Sequence, residues 1–168
     1  PGDRAGMNLQ PHPRLCYAPA ELEQLTRPST TPFMRAVDGW LARHADLWAA
    51  TPDVPCADNR HNAHLLRNRD LQGRVMTLIV RWQQTGDARY LDAVVRYIEM
   101  LGAWKHWSWI AMRGGQDAPD ATFDLSYGEN SATLALAYDL CHQALTPAQR
   151  ERFVAIARHW SIAAGLKF

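Results

Sequence analysis

The chain has 168 residues, of which 47% are hydrophobic, so it can bury a sizeable core and suits one domain or part of a larger one. Lysine and arginine number 18 against 17 aspartates and glutamates, and the net charge of +1 argues against a general electrostatic grip on nucleic acid. No apolar run reaches the roughly 18 residues of a membrane span, so no membrane partner is expected. The three cysteines, Cys16, Cys56 and Cys141, form neither a disulfide framework nor a paired metal motif.

The basic residues are almost all arginine, since lysine occurs only at Lys105 and Lys167. Arginine makes flat, two-pronged contacts with carboxylate, phosphate or sulfate groups. This composition fits an acidic ligand, and it fits a GC-rich genome equally well. The first residues, "PGDRAG", show no signal peptide, and Met7 could be a native start.

The N-terminal part is predicted to be an extended lead-in over residues 1–18, because its prolines break regular structure. Pro19 suits the first turn of a short helix, "PAELEQL". Thr31 can then cap a helix that begins at Pro32, "PFMRAVDGWLARHADLWAA", whose apolar residues follow helical spacing.

The middle of the chain predicts two helices joined by a very short turn. "LLRNRDLQGRVMTLIVRWQQ" and "ARYLDAVVRYIEMLGAW" both place their apolar residues on one face. Between them Gly86 can end the first helix and Asp87 can cap the second. Helices joined by so short a turn must be antiparallel neighbours.

A second hairpin is predicted downstream. "NSATLALAYDLCHQAL" reads as a helix, and Thr146 with Gln149 can form a capping box that starts "RERFVAIARHWSIAA". No segment alternates with a period of two over any length. The sequence therefore predicts an all-α fold of antiparallel helical hairpins, with hairpins at 71–101 and 131–164.

An aromatic cluster and a polar loop separate the two hairpins. Trp104, Trp107 and Trp109 fall within six residues, and the segment 105–126 that overlaps them is polar and rich in Gly, Asp and Pro. Packing between the hairpins is one interpretation of each tryptophan. The other is a platform for a sugar ring, to which Trp107 and Trp109 are best suited.

The stretch "SYGEN" that follows matches a capping box, with Ser126 as cap and Glu129 three residues later. Capping alone could explain Glu129. The alternative places Glu129 and Asn130 at a helix N-terminus that faces a cleft, where the helix dipole favours an anion such as a sugar carboxylate near Asn130. Tyr127 could stack on a sugar or donate a hydrogen bond to it.

The segment "CADNRHNAHLLRNR" holds a His-x-x-His pair, His61 and His64, which could bind zinc only with a third ligand. No metal or cofactor is therefore predicted. A polar loop entering a helix is the plain interpretation, and a carboxylate contact from Arg60, His61 or Arg67 is the functional one. Three further polar residues are predicted to be structural: Tyr90, Tyr97 and Asp139.

Three segments resemble one family in the same order. "HPRLCYAPAELEQL", "LIVRWQQTGDARYLDAVVRYI" and "YGENSATLALAYDLCHQALTPAQRERF" are similar to segments of heparinase II/III-like polysaccharide lyases, and alginate lyases of the same architecture share much of the pattern. The resemblance covers residues 12–164. It implies that 1–168 is a single helical domain, the N-terminal portion of an incomplete (α/α) toroid of the six-hairpin type.

The resemblance also implies an activity, the cleavage of uronic-acid glycans such as alginate or glycosaminoglycans by β-elimination. A base removes the proton beside the sugar carboxylate, which must be neutralised for the carbanion-like state to form. The family's Asn-Asn-Trp or Asn-His segment and its catalytic tyrosine are not found here, and in the family they lie further along than Phe168. The catalytic residues are therefore unassigned, and the family favours a secreted or periplasmic location.

Two other functions compete with the lyase. A glycoside hydrolase on a helical toroid would need two carboxylates, for which Glu129 with Asp124 or Asp120 are candidates. A helical module could instead bind glycan or protein without turnover. A partial toroid would also leave an apolar face open, which predicts self-association and marginal stability.

Overall fold

The computed structural model describes residues 9–56, 62–110 and 123–167, and all regular structure within these ranges is helical. The prediction of an all-α fold is confirmed. The helices are α1 (Pro19–Leu22), α2 (Pro32–Ala50), α3 (Ala63–Thr85), α4 (Ala88–Gly102), α5 (Leu125–Cys141), α6 (Pro147–Ile156) and α7 (Ala163–Gly165). A 3₁₀ turn, Glu23–Thr26, extends α1, and a π-helical segment, Ala157–Ile162, joins α6 to α7.

Most helix ends lie where the sequence predicts them. The Thr31 hydroxyl accepts a hydrogen bond from the Met34 amide and begins α2 at Pro32. Gly86 ends α3 with a φ of 69°, a left-handed conformation that glycine adopts without steric cost, and the Asp87 carboxylate caps α4. The predicted capping box at the start of α6 is also present, formed by Thr146 and Gln149.

The start of α5 differs from the prediction. Asp124, not Ser126, is the N-cap, and its Oδ1 accepts from the Ser126 amide at 2.9 Å. Its other oxygen accepts from the Ser108 hydroxyl at 2.7 Å and the Ile110 amide at 3.3 Å. These contacts with the preceding segment favour Asp124 over Ser126 as cap, so the predicted capping box with Glu129 is wrong.

The helices pack in two rows, one of α3 and α5 and the other of α2, α4 and α6, and the helices within each row run parallel. Asn68 of α3 donates to the Ser126 carbonyl of α5 near the start of both helices, and Trp82 and Leu140 line one pocket near their ends. In the second row α6 packs on α4 so closely that a Cβ on Gly102 would lie 2.6 Å from Ile156. Helix α2 runs alongside α4 in the same direction. This alternation of rows places the starts of α3 and α5 together.

The core lies between the rows and includes two of the residues predicted to be structural. Tyr90 donates to the Asp46 carboxylate at 2.6 Å, and Tyr97 donates to the Trp48 carbonyl at 3.3 Å. Helix α2 packs through Ala45 and Ala49. Several of its larger apolar residues are exposed instead: Phe33, Met34, Trp40 and Leu47.

The lead-in has neither helix nor strand before α1 within residues 9–18, and Asp139 of α5 holds it in place. The amides of Arg14 and Leu15 each donate to Asp139 Oδ2 at 3.0 Å, and the His12 ring contacts the same carboxylate. This agrees with the structural role predicted for Asp139. None of the helices in the described ranges has both the length and the apolarity to cross a membrane.

Candidate functional site

The N-terminal ends of α3 and α5 lie side by side and bury a group of polar side chains. His64 and Asn68 come from α3, and Ser126 and Asn130 come from α5. Each of the four is 4% exposed or less. We refer to these four residues as the polar cluster.

Most polar atoms of the cluster have no hydrogen-bond partner in the described part of the chain. Both amide atoms of Asn130, the Ser126 hydroxyl, the Asn68 Oδ1 and both ring nitrogens of His64 are buried and unpaired there. One contact joins the helices, from Asn68 Nδ2 to the Ser126 carbonyl at 3.4 Å. A buried polar atom without a partner costs about 1–3 kcal/mol, so each of these atoms calls for a partner that the described residues do not supply, such as a bound water or a ligand.

His64 is uncharged at neutral pH. Burial, helped by the positive charge of Arg67, lowers the pKa of His64 to about 4, although the His106 backbone and Asp124 oppose that shift. The His106 backbone is close enough to influence the ring but does not form a well-aligned hydrogen bond with it. A neutral imidazole has one N–H donor and one acceptor nitrogen, so His64 can offer either to a ligand.

Positive charge lies at the edge of the cluster. The Arg67 guanidinium sits 4.2 Å from the centre of the Trp104 ring, and its Nε donates to the Val54 carbonyl at 2.8 Å. The Trp104 ring in turn lies 5.3 Å from that of His64. Arg67, one of the predicted carboxylate contacts, is therefore next to the cluster and retains N–H donors that the Val54 contact does not use.

Trp107, predicted as a sugar platform, is fully buried in this structure. Its ring stacks on Trp160 with centroids 5.4 Å apart, and its Nε1 donates to the Leu101 carbonyl at 3.0 Å. Because neighbouring rings cover it, the packing interpretation applies to Trp107. Trp109 is half-buried, and its role as a platform stays a prediction.

Tyr127 is also a packed residue. Its ring stacks on Phe123 at 4.6 Å and lies 6.0 Å from Trp107. Burial, together with the nearby Asp124 carboxylate, raises the pKa of the Tyr127 hydroxyl. Tyr127 is only 5% exposed, so it does not present a face for stacking.

Glu129 lies at the rim and makes an ion pair with Arg69, with Nε and Oε1 2.9 Å apart. Asp124, the other described carboxylate of the hydrolase alternative, is engaged as the α5 cap. Both therefore have structural contacts, and no observation here favours a two-carboxylate hydrolase. Asp120 and the predicted carboxylate contacts Arg60 and His61 lie outside the described residues. Within the described ranges, no three His, Cys, Asp or Glu side chains are grouped as metal ligands.

The sequence pattern predicts no ligand role for Asn68 or Ser126, and for His64 it offers only the zinc alternative, which lacks a third ligand among the described residues. A signal for them is present, because His64 and Asn68 lie on the same helical face as Leu71 and Val75, which are buried. Ser126 and Asn130 are likewise four residues apart. Polar residues at helical spacing on an otherwise apolar face indicate a buried polar group.

Comparisons with known proteins find no counterpart: no family model, curated protein or solved structure matches the chain.

Proposed function

We propose that this chain contributes to an enzyme that cleaves uronic-acid glycans by β-elimination, with the polar cluster binding the sugar carboxylate. The observation that carries the proposal is the Asn130 amide, which is fully buried and has no partner for either atom among the described residues. The resemblance of three sequence segments to uronate lyases gives the ligand class.

The donors at the cluster suit a carboxylate. In the elimination, a base removes the proton on the carbon beside the carboxylate, a double bond forms, and the glycosidic oxygen leaves. Charge moves onto the carboxylate oxygens, so donors aimed at them stabilise the transition state. The Asn130 NH₂, the N–H of neutral His64 and the Arg67 guanidinium are donors of this kind.

Two features of the fold support the proposal. Two segments that carry the resemblance, "HPRL" near the start and "AYDL" in α5, meet through the hydrogen bonds of Asp139. The helices also alternate between two rows with parallel members, the arrangement from which an (α/α) toroid is built. In such a toroid, helix ends of one row border the central cleft.

Binding requires the residues that cover Asn130 to separate, since its side chain has no solvent exposure. Addition of a uronate oligomer should therefore change the NMR signals of the Asn130 side-chain amide. A neutral glucose oligomer of the same length should leave those signals unchanged.

The test measures the turnover of several uronate polymers through the absorbance of the conjugated double bond that elimination creates. Asn130→Ala and Trp109→Ala are compared with Trp107→Ala in the full-length enzyme. We expect Asn130→Ala and Trp109→Ala to fold and to lose about 10-fold or more in turnover, about 1.4 kcal/mol of transition-state binding. Trp107→Ala should lower the melting temperature. Unchanged activity per folded Asn130→Ala molecule would contradict the proposal.

A second candidate function is glycan binding without turnover, because the polar cluster offers hydrogen-bonding groups for a ligand whereas no catalytic base is assigned in the described part of the chain. Burial raises the pKa values of Tyr90, Tyr97 and Tyr127, and it lowers the pKa of His64 to about 4. None of these four is suited to remove the sugar proton at neutral pH. Binding of a uronate polymer to the full-length protein without an absorbance change would support this candidate and contradict the lyase.

A further inference from the structure

A groove separate from the polar cluster lies along the hairpin of α5 and α6. It has a volume of about 940 Å³. Tyr138 and His142 line it from the end of α5, and Arg150, Val154 and Arg158 line it from the facing helix. Arg158 belongs to the π-helical segment, a conformation that occurs often at functional sites.

The groove carries excess positive charge. Among the described residues, neither Arg150 nor Arg158 is paired with a carboxylate, and the contact of Arg150 is with the His142 carbonyl at 3.2 Å. Glu151 is the acidic side chain of the lining. By contrast, Arg152 of the same helix lies away from the groove and pairs with Glu99 at 3.4 Å.

The spacing of the two arginines suits a polymer. Arg150 and Arg158 are eight residues apart, which is about 12 Å along a regular helix. A chain of sugars can place successive acidic groups along this length, so that each arginine meets a separate carboxylate. The Tyr138 ring and the Val154 side chain add apolar surface against which the C–H face of a sugar can pack.

We propose that this groove is a second binding site for a carboxylated glycan strand, held by Arg150 and Arg158 and packed on Tyr138. The inference rests on the proposed function for its ligand class, but it concerns different residues. Such a site would hold the polymer away from the polar cluster and increase the effective concentration of substrate there.

His142 provides a local readout of binding. Burial, followed by the electrostatic influence of His12, Arg150 and Arg14, lowers the pKa of His142, and Asp139 acts in the opposite direction. The ring also stacks on His12 with centroids 4.1 Å apart and meets Tyr138 edge-on at 5.1 Å. A carboxylate bound at Arg150 should therefore raise the pKa of His142 and move its NMR signals.

The experiment titrates the full chain with a hexamer of galacturonic acid, and with a glucose hexamer as the neutral control. We expect the acidic hexamer to shift the His142 ring signals and Arg158→Glu to weaken its binding about 10-fold or more. Arg152→Glu, which makes the same charge change on the other side of the helix, should change the affinity of the groove less than about twofold. If both variants weaken binding of the acidic hexamer equally, or if the His142 signal does not change, the proposed binding site in the groove is contradicted.

The outcomes for the two sites can be told apart. If the NMR signals of Asn130 shift and those of His142 do not, the proposed binding site in the groove is wrong and the proposed function is unaffected. Shifts at His142 with no double-bond absorbance from any uronate polymer would support the groove and contradict the elimination.

Discussion

Buried polar groups near the two ends of helix α5 differ in whether the described chain supplies their hydrogen-bond partners. At the C-terminal end Asp139 is 1% exposed and accepts from the Arg14 and Leu15 amides, with the His12 ring also in contact. At the N-terminal end Asn130 is fully buried, and neither of its amide atoms has a partner in the described part of the chain. Nine residues, about 13 Å of helix, separate them.

The difference separates a polar group whose partners lie within the chain from polar groups for which we propose a ligand. Asp139 joins the lead-in to the helices, and its contacts satisfy its charge within the chain. The polar cluster around Asn130 lowers stability unless a partner outside the described residues satisfies it, and binding a ligand is the role proposed for it above. Mutations at the two ends should therefore have opposite signs.

The largest effect is expected at Asp139. Asp139→Ala removes the acceptor of two backbone amides and of His12, and breaking a buried pair from one side costs about 3–5 kcal/mol. Asp139→Asn keeps the shape but loses the charge, so its cost should be smaller. Urea unfolding of both variants gives the free energies, and an Asp139→Ala variant as stable as the parent would remove the structural half of the comparison.

The pH dependence of stability should also differ between the two ends. The pKa of His64 falls from about 6.5 in the unfolded chain to about 4 in the folded one, so between these values the unfolded state binds more protons and stability falls as the pH drops. The loss is on the order of 3 kcal/mol. His64→Leu should flatten the curve of unfolding free energy against pH in that window.

Asp139 acts in a lower window. Burial alone would raise its pKa, but the bonds from Leu15, His12 and Arg14 lower the pKa below its ordinary value. Its stabilisation is therefore complete above the unfolded pKa of about 3.9 and is lost as the pH falls through the folded value.

The His64 prediction is contradicted if the His64→Leu variant loses as much stability between pH 6.5 and pH 4 as the parent does, because His64 would then not be buried in its neutral form.

The smallest effect is expected at the rim. Glu129→Gln breaks the ion pair with Arg69, whose side chain is 54% exposed, and exposed pairs of this kind contribute about 0.2–1 kcal/mol. Thermal unfolding of Glu129→Gln and of the parent should show a difference in stability at low salt, and this difference should be smaller at 1 M salt. A loss of several kcal/mol would mean that Glu129 belongs to the polar cluster and not to its rim.

Much of the fold could be predicted from the sequence because the signals are local. Gly86 and Asp87 act through their own backbone conformation and nearest amides, and so does the box of Thr146 and Gln149. The cap of α5 could not be chosen this way. Asp124 and Ser126 are both good caps, and contacts from Ser108 and Ile110, sixteen and fourteen residues away, select Asp124.

The candidate site was predicted less completely, for a related reason. Binding roles for Asn130 and Arg67 stay predictions, and Asn130 lies in the second turn of α5 and not at the helix start where the sequence placed it. Trp107 is packed in the core and does not form an exposed platform. Its burial depends on Trp160, which comes from another hairpin and stacks on it with planes 3° apart. Periodicity cannot show which of three tryptophans after a helix end turns inward.

The most direct test of the central claim is the stability of Asn130→Leu, measured with and without a uronate hexamer. Leucine is close in shape to asparagine and removes two unsatisfied buried atoms, so the free variant should be more stable than the parent by about 1–2 kcal/mol. The hexamer should raise the melting temperature of the parent, and Asn130→Leu should lose the part of that increase that arises at the polar cluster. A destabilised Asn130→Leu, or one stabilised by the hexamer as much as the parent, would contradict the account.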